Sequence, residues 1–348
     1  MELYGVCGRE ELLARVGDLR QLAGYQRFTL SEGKGAGNEV IQVRNGSGLQ
    51  FQISLSRGFD IGHLEYQGVP ISWLSQTGPV APAFYDKEGD EWNRSFEGGM
   101  LTTCGLSTMG RPSVDQGMVF GQHGRISSSP AELLQSEGRW TDTGYELIFR
   151  GKVREAKALE EHLTLKRTIV TRLGDNRLTI TDEVTNEAFR PAAHLILYHF
   201  NFGFPLVGET CRIELPESRK RWIKGEAAEG SWAFFDKPDR LAEPTVLAHE
   251  LLASREETVS VRISNRVKQP GGYRLLTAEL RFPAACCPYM TQWKHQRSGA
   301  YVLGIEPGNA TTEGREVHRQ RGTLPYLKPG ETRSYSFELI FHLEEDRR

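Results

Sequence analysis

Three short segments carry polar side chains where the neighbouring residues are apolar or glycine-rich, and these are the places where chemistry could be done. The first is Leu195 to Pro205, an apolar run into which His199 and Asn201 are set. As a regular strand it points Leu195, Leu197, His199 and Asn201 one way and Ile196, Tyr198, Phe200 and Phe202 the other. An imidazole on a leucine-lined face must find a hydrogen-bond partner in the core or line a cavity. The second is Ala300 to Ala310, an apolar strand that ends at Glu306 and is followed by Pro307. Pro307 holds Glu306 in an extended conformation and is expected to end the ladder, putting the carboxylate at a sheet rim; a turn-flanking surface glutamate is the alternative. The third is His123-Gly124-Arg125, whose donors suit hydroxyl or phosphate oxygens and whose glycine lets a backbone come close to a ligand. An ordinary exposed loop explains it too. An imidazole and a carboxylate facing one another would make an acid–base pair that needs no metal.

The elements that must position these groups read as strands. From about Glu39 onward, runs rich in Val, Ile, Thr, Phe and Tyr alternate with Gly, Asn and Pro. A hairpin is expected at Asn45-Gly46-Ser47-Gly48 and a turn at Gly174-Asp175-Asn176. Strands that meander at regular spacing predict an all-β antiparallel sandwich. Ahead of them, Leu12, Leu13, Val16, Leu19 and Leu22 repeat at helical spacing and predict an N-terminal helical segment within residues 1–25, ending near Gly24. The sandwich is expected over 40–342, with the whole chain, 1–348, as one domain. The stretch from Pro79 to Arg125 lacks periodic apolar residues and reads as a long binding loop. Gly33-Lys34-Gly35-Ala36-Gly37 follows no strand and opens no helix, so it is read as a flexible loop rather than a phosphate cradle.

Composition narrows the function. With 43 basic against 45 acidic side chains and a net charge of −2, the 348-residue chain has no electrostatic footprint for nucleic acid or anionic lipid. It shows neither a leader-like N-terminus nor an apolar run of membrane-spanning length, which points to the cytoplasm. The five cysteines, Cys7, Cys104, Cys211, Cys286 and Cys287, have no zinc-type spacing and are expected as reduced, mostly buried thiols. The nine histidines show no H-x-H cluster of the kind a metal-dependent cupin isomerase needs.

Taken together, the segments resemble those of the galactose mutarotase-like superfamily, in its aldose 1-epimerase-related branch. Tyr198-His199-Phe200-Asn201-Phe202 is similar to the superfamily's histidine strand, though shorter between His and Asn, and Gly304-Ile305-Glu306-Pro307 is similar to its glutamate strand. Glu97-Gly98-Gly99-Met100 followed by His123-Gly124-Arg125 is similar to the substrate-binding histidine loop of the hexose-phosphate mutarotase branch, and Trp293-Lys294 to its aromatic wall. The resemblance spans about residues 40 to 342. It implies a β-supersandwich and a cofactor-free isomerase that interconverts sugar anomers, with Glu306 as base and His199 as acid. It further implies His123, Arg125, Trp293, Lys294 and Asn201 around the sugar. Arg57 and Asp60, in Ser56-Arg57-Gly58-Phe59-Asp60, are candidates for the pocket rim, or else an ion pair that pins the turn. Asp236 is the best candidate for the carboxylate that such enzymes use to hold sugar hydroxyls. The expected partner is a small sugar or sugar derivative, and a homodimer is compatible with the sequence. A non-catalytic carbohydrate-binding or sensing protein on the same fold is the alternative.

Overall fold

A computed structural model describes residues 2–226, 228–254 and 256–345, without the side chains of Glu2, Leu3 and Cys7. Its two large sheets are antiparallel throughout. The first has eight strands in the order Ala131–Thr141, Gly144–Ala156, His162–Arg172, Arg177–Asn186, Thr332–Glu345, Gly272–Pro283, Thr258–Gln269 and Arg212–Glu214. Its strands alternate: Leu178, Ile180 and Val184 are buried between half-buried and exposed neighbours, as are Val259, Val261, Ile263 and Val267. That pattern leaves one face for the core and one for water.

The second sheet runs Ser218–Lys224, Thr245–Leu251, Tyr289–Arg297, Ala300–Gly308, Leu195–Phe202, Leu101–Leu106, Asp60–Tyr66, Leu49–Ser54, Glu39–Arg44 and Gly24–Thr29, with Val69–Pro70 paired on Asp60–Tyr66. Leu195–Phe202 is buried along its whole length because both of its faces are covered. Ile196, Tyr198, Phe200 and Phe202 join the core between the sheets, where the Phe337 ring lies 4.3 Å from that of Tyr198 and 5.5 Å from that of Phe200. Leu195 and Leu197 face the other way, into a second cluster with Trp92, Phe96, Cys104 and Met109. The alternation expected from the sequence therefore holds, and His199 lies on the outer face of this sheet.

A buried cation ties the two sheets together. From His162–Arg172, Arg167 reaches Asp60 Oδ1 at 2.6 Å, Asp182 Oδ2 at 2.6 Å and Thr103 Oγ1 at 2.8 Å. Asp60 also accepts the Thr103 N–H at 2.8 Å. Thr103 follows Thr102, which pairs with His199, so the network pins the strand beside the histidine.

Several expectations about elements change. The helical segment is a short helix, Arg9–Leu13, and a separate turn, Leu19–Gln21, because Asp18 caps Arg20 N–H at 2.9 Å and starts a new turn. Gly24 does not end a helix; it opens a strand. The stretch from Pro79 to Arg125 is not one loop. It contains the central strand Leu101–Leu106, whose Thr, Cys and Gly residues gave no apolar run but are buried on both faces. The 33–37 glycine cluster includes a tight turn at Gly33–Gly35. Cys104, Cys211 and Cys287 are buried free thiols and Cys286 is half-buried, while the Cys7 side chain lies outside the described residues.

Candidate active site

The register of two neighbouring strands brings the imidazole to the carboxylate. Phe200 pairs with Ile305 and Leu197 with Gly308, which sets His199 across from Glu306. His199 Nε2 and Glu306 Oε1 lie 3.1 Å apart, but their alignment falls short of a hydrogen bond, and Oε1 is left without a donor. Pairing continues through Pro307, which opposes Met290, so Glu306 sits inside the sheet and not at its rim. The proline lacks a donor but leaves its neighbours paired.

Gly304 leaves the space that this pair occupies. A Cβ at that position would stand 2.6 Å from Glu306 Oε1 and 3.1 Å from His199 Cε1.

Both groups are buried, which drives each toward its neutral form. Burial raises the Glu306 carboxyl well above the usual carboxylate range. Burial, and then the nearby His123, lowers the His199 imidazole well below its usual value. His199 Nδ1 has no hydrogen-bond partner either. Buried polar atoms are rarely left unpaired, so orphaned atoms on both members mark a place where ligand hydroxyls would complete the bonding.

The pair forms the floor of a cleft of about 380 Å³ with aromatic walls. Trp293 stands edge-on to His199 at 5.4 Å between ring centroids, and Phe96 lies 5.2 Å from it. Trp92 stacks on Phe96 at 4.5 Å and lies 4.6 Å from His123. His123 also lines the cleft, 6.0 Å from His199, with its Nδ1 unpartnered and its imidazole pushed down to about 4 by burial. At neutral pH it presents a neutral ring that can donate and accept.

Other expected site residues lie elsewhere. Arg125 is exposed and does not line the cleft. Gly124 is needed for the chain's own packing and not for a ligand, since a Cβ there would stand 2.4 Å from the Gly105 carbonyl oxygen. Asn201 donates to the carbonyls of Gly99 and His199, both at 3.0 Å, and so braces the histidine strand on the face that His199 occupies, without lining the cleft. Lys294 points to the opposite face from Trp293, as strand alternation requires, and donates to the carbonyls of Ser231 at 2.8 Å and Phe234 at 2.7 Å. Asp236 lies in that second pocket with Lys294. Arg57 is buried and donates to the carbonyls of Ser127 and Val80, while Asp60 pairs with Arg167 and not with its sequence neighbour. The residues missed at the cleft include Trp92, Phe96, Arg111, Lys224 and His295. Only the strand partners were open to sequence reasoning: His295 shares a face with Trp293 by period two.

Among the described residues, no group of three or more His, Cys, Asp or Glu is placed to hold a metal ion, and no helix is long and apolar enough to cross a membrane.

Two antiparallel sheets with a histidine–glutamate cleft on the outer face of the larger one define a galactose mutarotase-like β-sandwich, and solved structures agree. The chain superposes on a candidate aldose 1-epimerase from Klebsiella pneumoniae with a TM-score of 0.84 at 25% identity, covering 93% of this chain and 86% of that one. It also superposes on a galactose mutarotase-like protein from Clostridium acetobutylicum (TM-score 0.60, 14% identity, 94% and 100% covered). A third match is galactose 1-epimerase from Lactobacillus acidophilus (TM-score 0.60, 12% identity, 93% and 100% covered). No curated protein matches the chain in sequence. The chain belongs to the family described as Domain of unknown function (DUF4432), which matches residues 35–340.

Proposed function

We propose that this protein is an aldose 1-epimerase, a mutarotase that interconverts the α and β anomers of a sugar with His199 and Glu306 as its acid–base pair. The observation that carries this reading is the 3.1 Å approach of Nε2 and Oε1 on the floor of an aromatic-walled cleft. The reaction needs one proton removed and one delivered. Glu306 as carboxylate takes the proton of the anomeric hydroxyl, the bond between the anomeric carbon and the ring oxygen breaks, and His199 as imidazolium protonates that oxygen. The aldehyde rotates, and the same transfers run backward on closure.

Burial favours the neutral form of both groups, with the shared proton on Glu306. Sugar hydroxyls that donate to Oε1 supply the hydrogen bonds that the carboxylate lacks and shift the proton toward His199. Trp293 covers an apolar sugar face, and His123 orients a hydroxyl. The same reading puts the protein in the cytosol, acting on small sugars as a single domain, alone or as a homodimer, without a metal or organic cofactor.

The test is NMR exchange spectroscopy on a panel of aldoses, in which saturation transfer between anomers reports turnover without coupling enzymes. Exchange well above the spontaneous rate for at least one sugar is the expected result. Sugar binding without exchange would favour the carbohydrate-binding reading instead.

A further inference from the structure

The mouth of this cleft carries an unbalanced set of nitrogen donors. Lys224 pairs with Val246, Val246 with Trp293, and Trp293 with Gly304, so these residues form one row across the sheet. Lys224, Val246 and Trp293 all line the cleft. Three strand spacings of about 4.8 Å put the Lys224 backbone roughly 14 Å from that of Gly304, a span that one sugar ring and a lysine side chain can fill.

Arg111 joins from the segment after Leu101–Leu106. Its N–H donates to the Thr312 carbonyl at 3.0 Å and its Nη2 to the Ile223 carbonyl at 2.8 Å, which holds the guanidinium beside Lys224. Its other side-chain N–H groups have no hydrogen-bond partner among the described residues. His295 shares the cleft face with Trp293, and its Nε2 is buried without a partner. Against these three, the carboxylates lining the cleft are Glu306 on the floor and the exposed Asp90 near Trp92. Glu243 lies in the pocket on the other face, with Lys294.

We propose that the substrate is a monosaccharide with an anionic group, a carboxylate or a phosphate, on the carbon remote from the anomeric centre. Arg111 and Lys224 hold that group, and His295 adds a hydrogen bond. The proposal rests on the reading of His199 and Glu306 as the anomer-exchange pair, because that pair fixes which end of the sugar lies at the floor. A neutral sugar leaves the guanidinium and the ammonium facing hydroxyls, whereas an anion gives each a charge-assisted bond, roughly twice as strong as a neutral one. Both cations are exposed, so salt should weaken the preference.

The probes are glucose, glucuronate and glucose 6-phosphate, each followed by NMR exchange spectroscopy with the intact protein. The expected result is a kcat/KM at least about tenfold higher for one of the anionic sugars than for glucose, a tenfold difference in transition-state stabilisation. The carboxylate and phosphate arms tell the two sources of charge apart. Arg111→Gln and Lys224→Gln, made separately, should each reduce the anion-to-neutral ratio several-fold, mainly through KM, and rising salt should do the same to the wild type. If the wild type exchanges glucose as fast as both anions, or if both variants keep the wild-type ratio, the proposal is overturned while the exchange reading stands. If none of the sugars exchanges but calorimetry shows tighter binding of an anionic sugar that Arg111→Gln weakens, the exchange reading fails and the proposal survives. If none exchanges and none binds, both fall.

Discussion

Alanine at Gly304 would put one methyl group against both members of the acid–base pair. Its carbon would lie 2.6 Å from Glu306 Oε1 and 3.2 Å from Trp293 Cβ. A relaxed non-bonded carbon contact needs about 3.5 Å, so the carboxylate oxygen must retreat by roughly 0.9 Å. The Glu306 side chain is only 3% exposed and cannot swing into water, so the displacement acts on its separation from His199. A misplacement of about 1 Å costs on the order of 10²-fold in rate. Stability should change far less. Overpacking costs about 1–3 kcal/mol, and alanine regains about 0.5–1 kcal/mol over glycine in a strand. Gly304→Ala should therefore fold, melt within a few degrees of the wild type and exchange anomers about 10–10²-fold more slowly by NMR. Gly62→Ala is the control in the same sheet, because its Cβ would meet Gln52 at an ordinary 3.5 Å. A folded Gly304→Ala protein with wild-type exchange would refute the reasoning that this glycine makes room for a working pair.

The pH profile of exchange should be a bell with its limbs in reversed order. Because burial lowers His199 and raises Glu306, the acid limb belongs to the imidazole and the alkaline limb to the carboxyl, with one shared proton between them. Residual exchange by Glu306→Gln should lose the alkaline limb; retention of both limbs contradicts the assignment. Stability should fall on acidification. Burial holds His194 down to about 3 and His123 and His249 down to about 4, against about 6.5 in the unfolded chain. Each folded value is depressed, so the contribution is full above about pH 6.5 and is lost as pH falls through about 4 to 3, on the order of several kcal/mol in all. Denaturation midpoints that stay flat from about pH 7 to about pH 4 would count against this. Finally, Arg167→Met leaves Asp60 and Asp182 as buried carboxylates without their cation, which should cost about 3–5 kcal/mol in chemical denaturation. A cost below about 1 kcal/mol would show that the network does not hold the sheets together.

The strands around the pair were readable because their chemistry is local. Leu195–Phe202 sets one histidine and Ala300–Gly308 one carboxylate in an apolar run, and period-two alternation assigns His199 to a face without knowledge of the partner strand; Glu306 was expected at a rim only because Pro307 was read as the end of the ladder. The cleft walls were not readable. Trp92, Phe96 and Arg111 come from a stretch whose conformation is set by tertiary contacts such as the Trp92 Nε1 bond to Ser127 Oγ at 3.0 Å, and no periodicity marks such contacts. Arg57 and Asp60 illustrate a different limit. As charges three residues apart in a turn they suggested a rim or a local ion pair, but Asp60 meets Arg167, more than a hundred residues away, inside the core. Lys294 was within reach of sequence reasoning, since neighbours in a strand face opposite ways and Trp293 already claimed the cleft.

The most direct test of the account is the exchange rate of Glu306→Gln and His199→Asn on whichever sugar the wild type turns over. Both substitutions keep shape and some hydrogen bonding while removing a proton carrier. Each should slow anomer exchange by about 10²–10⁴-fold, the usual size of one general acid–base contribution. Sugar binding should weaken much less. Near wild-type exchange by both folded variants would contradict the account, because the 3.1 Å pair would then have no part in the chemistry.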